Sequence, residues 1–276
     1  MSDMARPWST WLLIVPLLIG AANLHAFAEP AIDRWNAELL RPYVPAVSME
    51  TDRRIAPEDG GRGNDGVKAK MGAQYGATGL VRCGGAVGTA QLTLRTDVIT
   101  TAAHVLIGAD GQPRASCTFQ SAGGGTAVPI DPVSIKAGSR SPLSEPATRD
   151  WAVARLKQPI ANAAPYGLAP AGSKPGAVFM FAGGNKRAEQ MGAEQCKARG
   201  MLGASPQGVR EFAIDCNAAP GSSGAALTAG HQIVGIYLGY RSTDPERAQA
   251  FSSTHYNFAI TVEGPFRHAV LAAAGR

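Results

Sequence analysis

Ala219-Pro220-Gly221-Ser222-Ser223-Gly224-Ala225-Ala226-Leu227 is a turn of small residues that runs directly into an apolar stretch. A serine hydroxyl is a weak nucleophile until a neighbouring base takes its proton and a pair of donors holds the oxyanion it creates. Gly221, two residues before Ser223, lets the backbone turn without a Cβ, so that its N–H and that of Ser223 can converge on one point outside the chain. Read in isolation, the same stretch is an ordinary flexible Gly/Ser turn. The rest of the chain decides between these readings.

Two further stretches carry chemistry. Ile99-Thr100-Thr101-Ala102-Ala103-His104-Val105-Leu106 reads as a strand ending in small residues, which leave room for an imidazole beside a cleft. Imidazole is the natural base because its pKa lies near working pH. Asp150-Trp151-Ala152-Val153-Ala154-Arg155-Leu156 places a carboxylate at the head of an apolar strand, where it is costly unless hydrogen-bonded. An imidazole N–H would satisfy it and be held in one tautomer by it. A partly buried histidine and a strand-capping aspartate are the plain alternatives for His104 and Asp150. His231 and His268 read as surface residues and His255 as a bland strand-start residue, while Asp97, Asp110 and Asp131 read as turn residues. The order His104, Asp150, Ser223 is that of chymotrypsin-like enzymes, whereas an α/β-hydrolase would run Ser…Asp…His.

Around these motifs the texture is β. Short apolar and β-branched runs recur between Gly, Pro, Asp and Asn: 80–87, 91–94, 98–101, 128–130, 133–135 and 151–156, then 178–182, 211–216, 232–239 and 256–262. Many short strands divided into two sets by a Pro/Gly-rich connector, 159–176, predict a sandwich or a pair of barrels. Pro265–Ala274, with Gly275 beyond it, predicts a terminal helix.

The N-terminus carries Arg6, an apolar run from Trp8 to Gly20 and Ala26-Phe27-Ala28, which together predict a secretory signal peptide over 1–28. The run is short for a membrane span; an uncleaved anchor is the alternative. Residues 29–76 have four prolines and a polar Gly-rich stretch, Glu58 to Gly66, and read as an N-terminal extension, linker or pro-segment with a short helix near Trp35–Leu40. The expected location is secreted or periplasmic, with no membrane association after signal cleavage. Net charge is +5 without a Lys/Arg run interleaved with aromatics, so nucleic-acid binding is not read. Four cysteines, Cys83, Cys117, Cys196 and Cys216, predict two disulfides in an exported chain. Three pairings are open; the sequential one keeps each bridge within one half of the chain, each worth about 3–4 kcal/mol in the chain-entropy model. No C-x-x-C and no Cys/His pair at ligand spacing is present, so no metal site or cofactor is expected.

The region from Gly79 to Ala274 resembles the chymotrypsin/trypsin-like serine peptidases. Thr101-Ala102-Ala103-His104 matches the family's T-A-A-H, Asp150-Trp151-Ala152-Val153 its D-[IFW]-A-L, and Gly221-Ser222-Ser223-Gly224 its G-[DN]-S-G apart from Ser222. Cys83-Gly84-Gly85 looks like the C-G-G that precedes the histidine strand, and Val234-Gly235-Ile236 like the strand after the serine. Tyr256-Asn257-Phe258-Ala259-Ile260 is similar to a segment of the bacterial secreted, glutamyl-endopeptidase-like branch. The resemblance implies an all-β fold of two packed six-stranded antiparallel β-barrels with a C-terminal helix, the first over 77–165 and the second over 166–276. It implies a catalytic triad of His104, Asp150 and Ser223, an oxyanion hole from Gly221 and Ser223, and a substrate pocket lined near Asn217, Tyr237 and Gly239. The substrate would be a protein or peptide and the enzyme a monomer.

Three positions depart from the family. Ser222 replaces the acidic or amide residue that in many relatives holds an activated N-terminus. Val105 stands where many relatives have cysteine, so Cys117 is the partner of Cys83 if that bridge forms. Ala225 replaces a usual glycine. Asn217 does not support basic specificity and Tyr237 does not support acidic specificity, which leaves small or apolar residues before the scissile bond. An inactive secreted binding protein on the same fold is the alternative reading, and an esterase on another fold is disfavoured by the residue order.

Overall fold

The computed structural model describes residues 76–184, 191–245, 247 and 249–276. The expected signal peptide, the extension to residue 75 and its short helix lie outside them. No helix among the described residues is long and apolar enough to cross a membrane.

Six strands form the first sheet: β1 (Thr78–Cys83), β2 (Ala86–Leu92), β3 (Val98–Thr101), β4 (Thr118–Ser121), β5 (Val128–Ala137) and β6 (Ala152–Leu156). They pair in the order β1-β2-β3-β6-β5-β4 and close where β4 meets β1. Every pairing in this barrel is antiparallel. After β7 (Gly167–Leu168), a second barrel is built from β8 (Ala177–Gly183), β9 (Met191–Ala204), β10 (Arg210–Ile214), β11 (Ala226–Ala229), β12 (Gln232–Ser242) and β13 (His255–Thr261). Its order is β11-β8-β9-β10-β13-β12, closed by β11 on β12, and β7 adds a short parallel edge to β12. Closure removes the unpaired strand edges that would otherwise template aggregation.

The structure redraws several strands expected from the sequence. The run 80–87 is two strands, because Gly84 and Gly85 turn the chain into the β1–β2 hairpin. The C-G-G stretch is therefore the tip of that hairpin, with all of β2 between it and the histidine strand. β4, β7, β9 and β11 fall outside the runs that the sequence shows as strands. β9 is 14 residues long and reads Met-Gly-Ala-Glu-Gln-Cys-Lys-Ala-Arg-Gly-Met-Leu-Gly-Ala, whose glycines and charges hide any alternation. Its residues are held by pairing on both sides, β8 on one and β10 on the other.

Both disulfides form with the sequential pairing, Cys83–Cys117 tying β1 to the start of β4 and Cys196–Cys216 tying β9 to the chain after β10. A short helix α1 (Ala103–Leu106) follows β3, and α2 (Gly264–Ala273) ends the chain, one residue earlier than expected at each end. Pro265 fits the first turn of α2, where its missing N–H costs nothing. The helix leaves the second barrel and lays Phe266 on Trp151 of the first, ring centroids 5.1 Å apart and stacked. Leu80 of β1 packs with Phe181, Met191 and Ala193 of the second barrel, a small apolar cluster between the two sheets.

Buried carboxylates brace both barrels. Asp97, expected in a turn, is nearly buried and takes hydrogen bonds from Arg95 and Arg155. Burial pushes its pKa up, but the two guanidinium groups outweigh that and hold it below the usual carboxylate range. Glu263 follows the same pattern, with Arg210, the Gly172 N–H and the Thr261 hydroxyl outweighing burial.

Candidate active site

His104 lies in α1, immediately after the small residues Ala102 and Ala103, both fully buried. Asp150 sits between a 3-10 turn, Ala147–Arg149, and the start of β6, and it too is fully buried. β3 and β6 are hydrogen-bonded neighbours with Thr101 opposite Ala152, which brings the two residues side by side. Asp150 Oδ2 lies 2.6 Å from His104 Nδ1, and Asp150 Oδ1 accepts the His104 backbone N–H at 2.9 Å. A carboxylate only accepts, so Nδ1 carries the proton and donates it, and in that tautomer Nε2 is the nitrogen that carries the lone pair. The aspartate thus grips the histidine by ring and backbone together. This answers the cost of a carboxylate at the head of a buried strand.

Ser223 comes from the second barrel, in the turn between β10 and β11. Gly224, at φ 87°, is pressed against the end of β3: a Cβ there would run into Thr101 Oγ1, the Thr89 carbonyl and the Ala102 nitrogen. Only glycine permits both that backbone angle and that approach. Gly88 of β2 lies between the Val105 side chain and the Ser223 carbonyl oxygen. The stretch that carries His104 and the turn that carries Ser223 therefore meet at Gly224, and Gly88 of β2 packs between them on a second side. The Ser223 hydroxyl itself donates to the Leu238 carbonyl at 3.4 Å, a long bond at the limit of the range.

Backbone hydrogen bonds hold the turn around the serine. Ser222 N–H donates to the Ala219 carbonyl at 2.9 Å, and Gly224 N–H to Tyr237 at 2.8 Å. Among the described residues, neither the Gly221 nor the Ser223 N–H donates a hydrogen bond. These are the two donors expected to hold an oxyanion. Ser222 is fully buried, its hydroxyl donating to the Gly183 carbonyl at 2.7 Å and accepting the Ala219 N–H at 3.0 Å. It is a turn-building residue committed at both ends, which separates it from Ser223 as a nucleophile.

Of the expected pocket residues, Asn217 is fully buried and donates from both its backbone N–H and Nδ2 to Glu194 Oε2, each at 2.8 Å. Tyr237 is fully buried and its hydroxyl donates to Asn257 Oδ1 at 3.1 Å. Asn257 in turn donates to the Cys216 carbonyl at 2.6 Å. Gly239 is buried in β12 opposite Phe258. Glu194 was missed in sequence because β9 was, whereas Asn257 lay inside a quoted motif without a role. His231 and His268 are exposed as expected; His255 is not bland but buried at the head of β13, 2.9 Å from Ser242 Oγ. Burial pushes the His255 pKa down, against the pull of Asp244. No cluster of three or more metal-ligating side chains occurs among the described residues.

By sequence, the chain matches no family model and no curated protein. By structure it is similar to solved proteases. A Glu endopeptidase superposes with a TM-score of 0.62 at 13% identity, over 83% of this chain and 100% of that one. A thermostable serine protease from an extremophilic microorganism gives 0.56 at 16% identity, over 74% and 99%. The protease Anisep from Arthrobacter nicotinovorans gives 0.52 at 15% identity, over 73% and 96%. The chain has the chymotrypsin-like fold. In this fold the His104–Asp150 pair comes from the first barrel and the Ser223 turn from the second.

Proposed function

We propose that the protein is a serine endopeptidase, secreted or periplasmic, acting through a His104–Asp150–Ser223 triad and an acyl-enzyme intermediate. The observation that carries the reading is the buried Asp150–His104 pair lying next to the Ser223 turn. His104 Nε2 takes the Ser223 proton as Oγ attacks a peptide carbonyl, and later gives it to the leaving amine. Asp150 holds the ring in one tautomer and stabilises the imidazolium. The Gly221 and Ser223 N–H groups hold the tetrahedral oxyanion; each such donor is typically worth about 2.7–4 kcal/mol. The long Ser223–Leu238 bond is readily exchanged for one to the ring, since such bonds tighten on substrate binding.

The residue before the scissile bond is small or apolar. Asn217 donates from Nδ2 to Glu194 and the Tyr237 hydroxyl donates to Asn257, and neither residue brings a charge to meet a charged side chain. The peptidase domain is the first barrel, 77–165, with the second barrel and helix, 166–276. It follows a signal peptide, 1–28, and an extension or pro-segment, 29–76, and it acts as a monomer. The test is hydrolysis of casein and of a short ester by the purified mature chain. Ser223→Ala should lower both rates by roughly 10⁴-fold or more while secretion and the melting temperature hold. Ser222→Ala should stay active. Ester cleavage without casein cleavage would overturn the endopeptidase reading.

A further inference from the structure

Thr89, in the middle of β2, belongs to the first barrel yet commits its hydroxyl proton and its backbone N–H to the serine turn. It is fully buried. Its hydroxyl donates to the Gly221 carbonyl at 2.7 Å and accepts the Gly183 N–H at 2.9 Å. Its backbone N–H donates to the Ser223 carbonyl at 2.8 Å. Its own carbonyl accepts the Thr101 hydroxyl at 2.7 Å, three residues before His104. Gly183 ends β8 and lies within contact of both Thr89 Oγ1 and the Gly221 carbonyl.

A hydroxyl has one proton to give, and here it is given to Gly221 while a lone pair is filled by Gly183, so its rotation is fixed. The consequence falls on the peptide units around the nucleophile. Thr89 grips the carbonyls of Gly221 and Ser223, and the Ser222 N–H between them is turned to Ala219. With those groups anchored, the N–H groups of Gly221 and Ser223 are the donors of the turn that remain unspent. The same residue also holds Thr101, against which Gly224 rests. One residue, by its side chain and its backbone, thus joins the strand that delivers the histidine to the turn that delivers the serine.

We propose that Thr89 is a positioning residue that sets the oxyanion donors of the second barrel from the first, through its hydroxyl on the Gly221 carbonyl. The proposal rests on the peptidase reading. Without the hydroxyl, the Gly221 carbonyl loses a buried donor and the turn is free to rotate the peptide units that aim Gly221 N–H and Ser223 N–H. Substrate binding, which uses other surfaces, is left in place. The loss belongs in the chemical step, where an oxyanion exists, rather than in the ground-state complex.

The experiment compares the mature wild-type chain with Thr89→Val, Thr89→Ser and Thr89→Ala. The readouts are the fluorophosphonate labelling rate, kcat and KM on one ester, affinity for a boronic acid that forms a charged tetrahedral adduct, and melting temperature. Wild-type labelling comes first: if it is absent, the peptidase reading fails, and the Thr89 comparison is not what failed. Given wild-type labelling, Thr89→Val should lower kcat, the labelling rate and boronate affinity by roughly 10–100-fold. KM should stay within about threefold. Thr89→Ser, which keeps the hydroxyl, should recover most of the loss. If Thr89→Val does not fold, Thr89→Ser against Thr89→Ala decides: serine should exceed alanine in kcat by about tenfold or more. A valine variant that labels at the wild-type rate, a loss that falls on KM, or a serine variant no better than alanine would each overturn the assignment.

Discussion

Asp150 in the first barrel and Glu211 in the second are both carboxylates sunk below solvent, and their partners send them to different work. Asp150 meets a histidine, by ring and by backbone. Glu211 meets the guanidinium of Arg241, itself buried, at 3.0 and 3.2 Å, with Phe258 stacked 4.6 Å beneath the cation. Burial pushes the Glu211 pKa up, and Arg241 only partly offsets it. A guanidinium never gives up its proton at working pH, so that pair can only brace the barrel. An imidazole can both give and take a proton, which fits the first pair to the proton-transfer role proposed for it. The lesson is that burial of a carboxylate is a cost in either barrel, and that the partner's own chemistry decides whether it supports a structure or a reaction.

Four substitutions or conditions would break or sharpen that contrast. Asp150→Asn should keep the fold and lower kcat by about 10⁴-fold, because an amide favours the wrong imidazole tautomer; turnover of the short ester reads it. Arg241→Met should do the reverse, costing roughly 3–5 kcal/mol of stability by stranding Glu211, with activity per folded molecule retained. Urea unfolding measures it, and the double variant Glu211→Leu/Arg241→Met should recover much of the loss. If Arg241→Met cost nothing, the bracing role would be wrong. Removing the Cys196–Cys216 bridge by paired alanines should cost about 3 kcal/mol for its 20-residue separation. That bridge lies beside Asn217, so an accompanying change in cleavage preference would tie it to the pocket as well.

The smallest effect is on the pH profile of stability. Asp97 and Glu263 have lowered folded-state pKa values, so their contribution is present above the ordinary carboxylate range and lost as pH falls through the folded values. Glu211 runs against them: its raised value favours the folded chain at low pH and works against it as pH rises. Thermal melts below about pH 4.5 should therefore fall less steeply in Asp97→Asn than in the wild type, whereas Glu211→Gln should change the profile only above about pH 4.5, sparing the loss of stability that the wild type suffers as pH rises there.

The candidate site is legible in the chain because the chemistry proposed for it demands particular residues in short runs. Thr101 to His104, Asp150 to Val153 and Gly221 to Gly224 each announce themselves, and the structure brings their backbones together. The sequential disulfides and the terminal helix were legible for similar local reasons. What was hidden is what long-range pairing decides. β9 has a poor strand sequence and is held by β8 and β10 on either side. Gly84 and Gly85 cut one apparent strand into a hairpin, which only the β1–β2 pairing reveals. Thr89 looks like any β-branched strand residue; only the apposition of the two barrels gives its hydroxyl two partners more than 90 positions away. Asn217 and Tyr237 were read as pocket residues, but the partners that occupy them, Glu194 and Asn257, come from other strands.

The central claim is that one serine in this chain is activated by the buried histidine–aspartate pair. The most direct measurement is mass-spectrometric mapping of the adduct formed when the mature wild-type protein reacts with a fluorophosphonate. A single modification on Ser223, lost in His104→Ala and slowed in Asp150→Asn, is the predicted result. No adduct at all, or one on Ser222 or another residue that persists when Ser223 is replaced, would contradict the account.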